Sequence, residues 1–381
     1  MRILVTNNTL VPRGGTESVV GDLARVLQGR GHTVLAYSSD ERQRERLLEN
    51  DQIPVASDLA NLPFRPDLIH GFHHLDVMSA LAALPGVPAL YQSHGSIRRD
   101  YAPRHPRLYR YLASSRTRVE RMRAGSAIPE GDFTVFPAIV DLARFRVVRQ
   151  LPEQLKRGLF FNHPEAVSSA LASAVSEAAS RCGFDICFLD RHYDGHIDSA
   201  EALFPEFDLV FASGPSAVEA LLCGCAVVVC GDGFCGELVH PENLERLREN
   251  EFAVPEDAPP PTAEQIVNEV GCYAVAASEA VSDCMRQAAD IRSAVGDLLK
   301  IYEETIEIHQ AGTASLADEG PAIARYLQEF MPRITQTERA LGRNWISSTR
   351  PTTFEELSSR LGAIEHRLDI APFGTNPRGS S

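Results

Sequence analysis

"DLVFASGPSAVEALLCGCAVVVC", Asp208 to Cys230, reads as strand, helix, strand. The apolar run Asp208–Gly214 is one strand, Pro215–Cys223 a helix, and Cys225–Cys230 with its Ala-Val-Val-Val centre a second strand. Near-continuous apolar strands are buried on both faces, as in a parallel sheet. The four small or constrained residues Ser213, Gly214, Pro215 and Ser216 open the helix. Backbone N–H groups are unpaired at such a start, and the helix dipole makes it attractive to anions.

The same alternation runs outward on both sides. Upstream, strands are predicted at Gly158–His163 and Asp185–Asp190, with an Ala/Ser-rich helix over Glu165–Arg181. Nearer the N-terminus, strands are predicted at Arg2–Asn7, Thr33–Ser38, Asp67–Phe72, Ala89–His94 and Phe133–Pro137. Helices fall at Thr16–Gly29, at Leu75–Leu84, and between Pro106 and Arg123. In the first helix Val19, Val20, Leu23, Val26 and Leu27 recur at helical spacing. Strands alternating with helices predict doubly wound parallel sheets. The polar stretch Val140–Arg157 interrupts the pattern. The reading is therefore two Rossmann-like α/β domains, residues 1–150 and 151–310, facing across a cleft. A helical extension over 311–370, for packing or oligomerisation, and a disordered tail at 371–381 follow. In the extension Phe354, Leu357, Leu361, Ile364 and Leu368 form a short a/d stripe. Packing within the chain and a homodimer helix pair are its two uses.

Composition limits the partners. Of 37 basic residues all but Lys156 and Lys300 are arginine, and the net charge is −14. A nucleic-acid coat is not expected. Local runs such as Arg98-Arg99 and Arg116 to Arg123 suit an anionic substrate, but a membrane surface is not otherwise indicated. With no signal pattern and no long apolar run, the expected location is cytoplasmic. The arginine bias suggests a GC-rich bacterial genome. The cysteines are then reduced. Cys223, Cys225, Cys230 and Cys235 lack a familiar zinc spacing, and small buried apolar groups are the competing reading.

Ligands of doubly wound sheets sit at the carboxyl ends of the strands. Those ends carry Asn7 through Gly15, Gly71 to His74 and Ser93-His94-Gly95 in the first domain. In the second they carry Asn162-His163, Arg191-His192, Ser213 to Ser216 and Gly231 to Glu237. Gly14 and Gly15 either admit a phosphate to the backbone or only make a tight turn. Ser213, Gly214 and Ser216 offer a second phosphate approach from the other domain.

At this point the sequence resembles a family. Gly14-Gly15-Thr16-Glu17, "GRGHTVLAYS" (29–38), "PDLIHGFHHLD" (66–76), "YQSHG" (91–95) and "VDLARF" (140–145) resemble family-4-type glycosyltransferases of the GT-B fold. "EALLCGCAVVVCGDGFCGELV" (219–239) resembles that family's nucleotide-binding segment. The likeness covers roughly residues 1 to 305. It implies sugar transfer from a nucleotide-diphosphate sugar to an acceptor (a small molecule, glycan or peptide), with retention, no metal and no other cofactor. It implies that His94 lies beside the anomeric carbon. Glu219, the second glutamate of an E-x7-E motif, would meet the ribose, and Glu237 would hold the loop or meet the sugar.

Asn162 and Arg191 complete the expected donor side. Arg13, Glu17, His73 and His74 line the acceptor side. Two departures stand out. Phe211 occupies the place of the first glutamate, and "ASGPS" stands where cationic phosphate-binding residues are common in the family. Lys156, Arg157, Arg191 and Arg13 are the candidate replacements. Alternatives kept beside the transferase are a non-catalytic partner protein and a sugar-nucleotide epimerase or pseudo-glycosyltransferase on the same fold.

Overall fold

The computed structural model describes residues 1–8, 10, 16–39, 53–56, 58–93, 102–124, 126, 128–136, 140–162, 169–190, 200–231, 234–254, 261–312 and 317–331. The side chains of residues 16–18, 162, 169, 190, 231, 234 and 235 are outside that description. The chain divides into two compact units, Met1–Ile323 and Ala324–Ser381. Of the second, residues 324–331 are described, and they are helical. The a/d stripe from Phe354 to Leu368 lies outside the described residues, as does the tail.

The first unit contains two sheets. The larger has seven strands in the order β3-β2-β1-β4-β5-β6-β7. They are β1 (Arg2–Thr6), β2 (Thr33–Tyr37), β3 (Val55–Ala56), β4 (Leu68–Gly71), β5 (Ala89–Ser93), β6 (Leu108–Ala113) and β7 (Phe133–Val135). Every neighbouring pair is parallel. Ile3, Leu4 and Val5 are fully buried, which is why an unbroken apolar run serves as the central strand. Helix α1 (Thr16–Gly29) lays Val20, Leu23 and Leu27 on this sheet. Helix α2 (His74–Ala83) follows β4, and helix α3 (Arg116–Ala124) follows β6. Gly71 permits the β4–α2 approach, because a Cβ there would stand 2.4 Å from the Cβ of Val77.

One expectation fails here. Leu108–Ala113 is strand β6, not helix, and helix occupies only Arg116–Ala124. Tyr109 and Tyr111 suit a pleated, half-buried surface. The Tyr111 hydroxyl donates to the Pro103 carbonyl at 2.6 Å.

The second sheet has five strands in the order β12-β11-β10-β8-β9. They are β8 (Arg157–Asn162), β9 (Asp185–Asp190), β10 (Leu209–Ala212), β11 (Ala226–Gly231) and β12 (Phe234–Leu238). All pair in parallel except β12, which is antiparallel to β11. Its helices are α4 (Ser169–Cys182), α5 (Ala200–Leu203), α6 (Gly214–Leu222), α7 (Leu244–Glu249), α8 (Ala263–Val270) and α9 (Val275–Ala289). Phe161, Val210, Ala217, Leu221 and Val227 share one face of this sheet's core, and Phe160, Phe211 and Val228 the other.

The last long helix, α10 (Ile291–Gln310), returns to the first domain. Its Ile291, Val295, Leu298 and Tyr302 are fully buried in the first sheet's core, although a division at 310 assigns them to the second domain. Tyr302 donates its hydroxyl hydrogen to Nδ1 of His70 at 2.6 Å, and His70 Nε2 meets Gln92 Oε1 at 3.0 Å. Outward and return passages touch at the crossing. The Val140 amide donates to the Ala289 carbonyl at 2.8 Å, and the Ile291 amide to the Val140 carbonyl at 3.1 Å.

Candidate functional site

Each sheet changes direction at one point, and there the strand ends diverge to leave a crevice. In the first sheet this lies between β1 and β4, in the second between β8 and β10. Phe160 is opposite Phe211 in the β8–β10 register. Asn162 and Ser213, each two residues on, therefore end the two strands at one level. Ser213 has extended backbone (φ −134°, ψ 163°) and precedes α6, and its side chain makes no cap hydrogen bond. Gly214 has φ +57°, a conformation that side chains resist, and a Cβ there would meet nothing within 4 Å. Among the described residues, the space beside the Gly214 Cα is therefore open. Ser216 and Glu219, three apart on α6, are both buried.

Phe211 is fully buried and packs on Phe160 with ring centroids 6.3 Å apart. This place in the motif belongs to the core. Glu237 lies in β12, which doubles back along β11 with Leu238 opposite Val228. Three residues of that reversal draw it about 10 Å from the carboxyl rim. There its carboxylate accepts from Arg246 at 2.5 Å and from Asn243 at 3.0 Å.

Lys156 and Arg157 sit at the amino end of β8, the opposite end of the sheet from Gly214. Both line a cavity of about 330 Å³ together with Arg149, Glu206 and Asp208. Arg157 pairs with Glu206 at 3.1 Å and lies 5.0 Å over the Phe207 ring. They cannot be the replacement for the missing phosphate cations, because the sheet stands between.

On the first domain, His73 precedes α2 and its Nδ1 lies 3.1 Å from Asp76 Oδ2. His74 is buried and stacks on His73 with centroids 4.7 Å apart. Asp76, itself buried, also accepts the Ser39 amide at 3.0 Å. His94, Gly14, Gly15, Arg13 and Arg191 lie outside the described residues, as do the side chains of Glu17 and Asn162.

Reasoning from sequence missed the group that joins the two domains near these ends. Arg118 of α3 and Glu251, beyond α7, form an ion pair. Burial raises the Glu251 pKa, but hydrogen bonds and charge from Arg118, with Ser114 and Ser115, hold its carboxyl below the usual range. The Ser114-Ser115 pair before a helical run was the available signal. The partner, 133 residues away, carries none.

Cys223, Cys225 and Cys230 are buried and behave as apolar groups. Burial, then the Glu219 charge, pushes Cys223 up to about 12, and burial also raises Cys225. Cys225 Sγ faces the Phe204 carbonyl at 3.1 Å. Among the described residues no group of three or more His, Cys, Asp or Glu could hold a metal ion. No described helix is long and apolar enough to cross a membrane.

No family model and no curated protein matches the chain. Solved structures do. A glycosyltransferase from Rickettsia africae ESF-5 superposes with a TM-score of 0.54 at 13% identity, covering 80% of this chain and 98% of that one. The apo form of a lipopolysaccharide outer core galactosyltransferase superposes at 0.51 and 11% identity, covering 80% and 100%. At such identity the likeness concerns architecture. The chain has an α/β, two-domain GT-B fold.

Proposed function

We propose that this protein is a glycosyltransferase that moves a sugar from a nucleotide-diphosphate donor to an acceptor, with retention and without a metal. The observation that carries the proposal is the start of α6. It combines left-handed Gly214, a non-capping Ser213 and open space at the switch point of the second sheet. The positive dipole end there suits a diphosphate, and the Gly214 amide, held by the Phe252 carbonyl at 2.9 Å, fixes the turn that presents it. Buried Glu219 is in the helix that follows, where a carboxylate would take hydrogen bonds from ribose hydroxyls. Gly14 and Gly15 would approach the donor from the first domain. His94, which follows the last residue of β5, would meet the developing charge at the sugar. His73 and His74 would face the acceptor.

The test is an assay of wild type and His94→Ala with a panel of nucleotide sugars, following release of free nucleotide with and without acceptor extracts. The expected result is release by the wild type, lost in His94→Ala while nucleotide affinity stays within about threefold, since an interaction made only in the transition state leaves binding alone. Collapse of nucleotide binding in His94→Ala would refute that role. A non-catalytic ligand-binding protein is the second reading. It is favoured by the position of Lys156 and Arg157 at the wrong end of β8. Release of nucleotide from any donor would exclude it.

A further inference from the structure

Glu251 and Phe252 both hold left-handed backbone, with φ of 56° and 52°. For side-chain-bearing residues this costs about 1–2 kcal/mol each. It persists only where the surroundings impose it. Here they do so from two directions. The Glu251 carboxylate reaches into the first domain. Its Oε1 accepts from Arg118 Nε at 2.6 Å, from Ser115 Oγ at 3.1 Å and from Ser114 Oγ, while Oε2 accepts from Arg118 Nη2. Phe252, the next residue, is buried, and its carbonyl accepts the Gly214 amide at 2.9 Å. On the far side Arg118 Nη1 donates to Ser93 Oγ, at the end of β5, at 3.2 Å. The Arg116 amide, at the start of α3, donates at 3.1 Å to a second carboxylate, that of Glu249 at the end of α7. A path of hydrogen bonds, with one covalent step from Glu251 to Phe252, therefore runs from Ser93 in one domain to Gly214 in the other.

We propose that Arg118 and Glu251 are positioning residues that hold the end of β5 against the start of α6 at the spacing that sugar transfer requires. The proposal rests on the glycosyl-transfer reading of the site. A buried ion pair is a poor source of net stability, because desolvation offsets its attraction. A two-pronged arginine–carboxylate contact is instead geometrically demanding. The strain next to it has the same meaning: conformational energy is spent to place the Phe252 carbonyl under Gly214. Lysine cannot replace Arg118, because one ammonium cannot serve Glu251 through two nitrogens and Ser93 through a third.

The test compares wild type with Glu251→Gln and Arg118→Lys in two readouts. Amide hydrogen exchange reports the coupling without any substrate. In both variants the amides of Gln92 and Ser93 and of Gly214 and Ser216 are expected to exchange about tenfold faster, with other core strands unchanged. Steady-state kinetics with an active donor are expected to show kcat at least about tenfold lower, with the donor KM within about threefold. Faster exchange confined to residues 249–252, or spread evenly over the chain, would overturn the proposal. So would unchanged kcat in an active enzyme. A wild type inert with every donor would overturn the glycosyl-transfer reading itself, and that result is distinct from an active wild type whose variants match it.

Discussion

At Val140 and Asp290 the two domains are joined by backbone, whereas at Arg118 and Glu251 they are joined by side chains. The crossing point has two passages of chain, hydrogen-bonded to each other through main-chain atoms at 2.8 and 3.1 Å. Beside it Arg144 is clamped between Asp22 of α1 at 2.8 Å and Glu201 of α5 at 2.9 Å. Burial opposes the Arg144 charge, but the two carboxylates outweigh it and raise its pKa. The contact at Glu251 has no such main-chain tie between the domains beyond the Arg116 amide. It consists of one carboxylate, two hydroxyls and one guanidinium around strained backbone. The first arrangement holds the domain spacing through main-chain bonds that no single side-chain change removes, whatever such a change costs in stability. The second can be unmade and remade by small changes in geometry or charge. Under the proposed function, the second joint is the one suited to move as a donor is admitted and enclosed.

The largest expected effect comes from the crossing. Arg144→Ala strips Glu201 of its cation and leaves Asp22 to Arg25 alone, at 2.9 Å, at a cost of about 3 kcal/mol, the low end for a broken buried pair. Urea denaturation would read this as a shift in midpoint. A loss no larger than that of an exposed pair would remove the contrast between the joints. Acid supplies the next effect. The His105 pKa is lowered from 6.5 to about 4 by burial and then by Arg107, and among the described residues its Nε2 has no hydrogen-bond partner. Its folded pKa lies below the unfolded one, so the stability it confers is whole above about pH 6.5 and is lost as pH falls toward 4. The loss is at most about 3 kcal/mol, and His105→Asn should flatten the pH–stability curve in that window.

The Glu251 joint should yield at lower pH and more locally. Its carboxyl is held below the usual range, so the contact is complete above the unfolded carboxylate value. It is lost as pH falls through the lower, folded value. Small-angle scattering should show a larger radius once the pH falls below the usual carboxylate range, and Glu251→Gln should show it at neutral pH. No change in either would mean that the crossing alone sets the domain spacing. The smallest effect belongs to Gly214→Ala, which costs about 1 kcal/mol through its positive φ and nothing through crowding. A larger loss of stability would mean that the helix start is packed rather than open.

What was legible in the sequence was whatever repeats locally. Val20, Leu23 and Leu27 declared α1, and the unbroken apolar runs declared β1, β10 and β11, because periodicity directly encodes burial. Ser213 and Gly214 were legible for the same local reason. Leu108–Ala113 was not, since a six-residue mixed run satisfies helix and strand patterns alike until its neighbours select one. Lys156 and Arg157 were misplaced although the information was present: Lys156 precedes β8 and Arg157 opens it, so both lie at its amino end. Arg118 and Glu251 had no sequence signature. Nothing local marks a left-handed glutamate, and their meeting depends on how two domains dock.

The central claim is that the start of α6 receives the diphosphate of a nucleotide sugar, and calorimetric titration tests it most directly. Wild type and Gly214→Val would be titrated with UDP, GDP, ADP, CMP and dTDP. The account predicts that one nucleotide binds the wild type and that the valine, whose side chain would enter the open space at the helix start, abolishes that binding while the fold is retained. Binding of no nucleotide, or equal binding to both proteins, would contradict it.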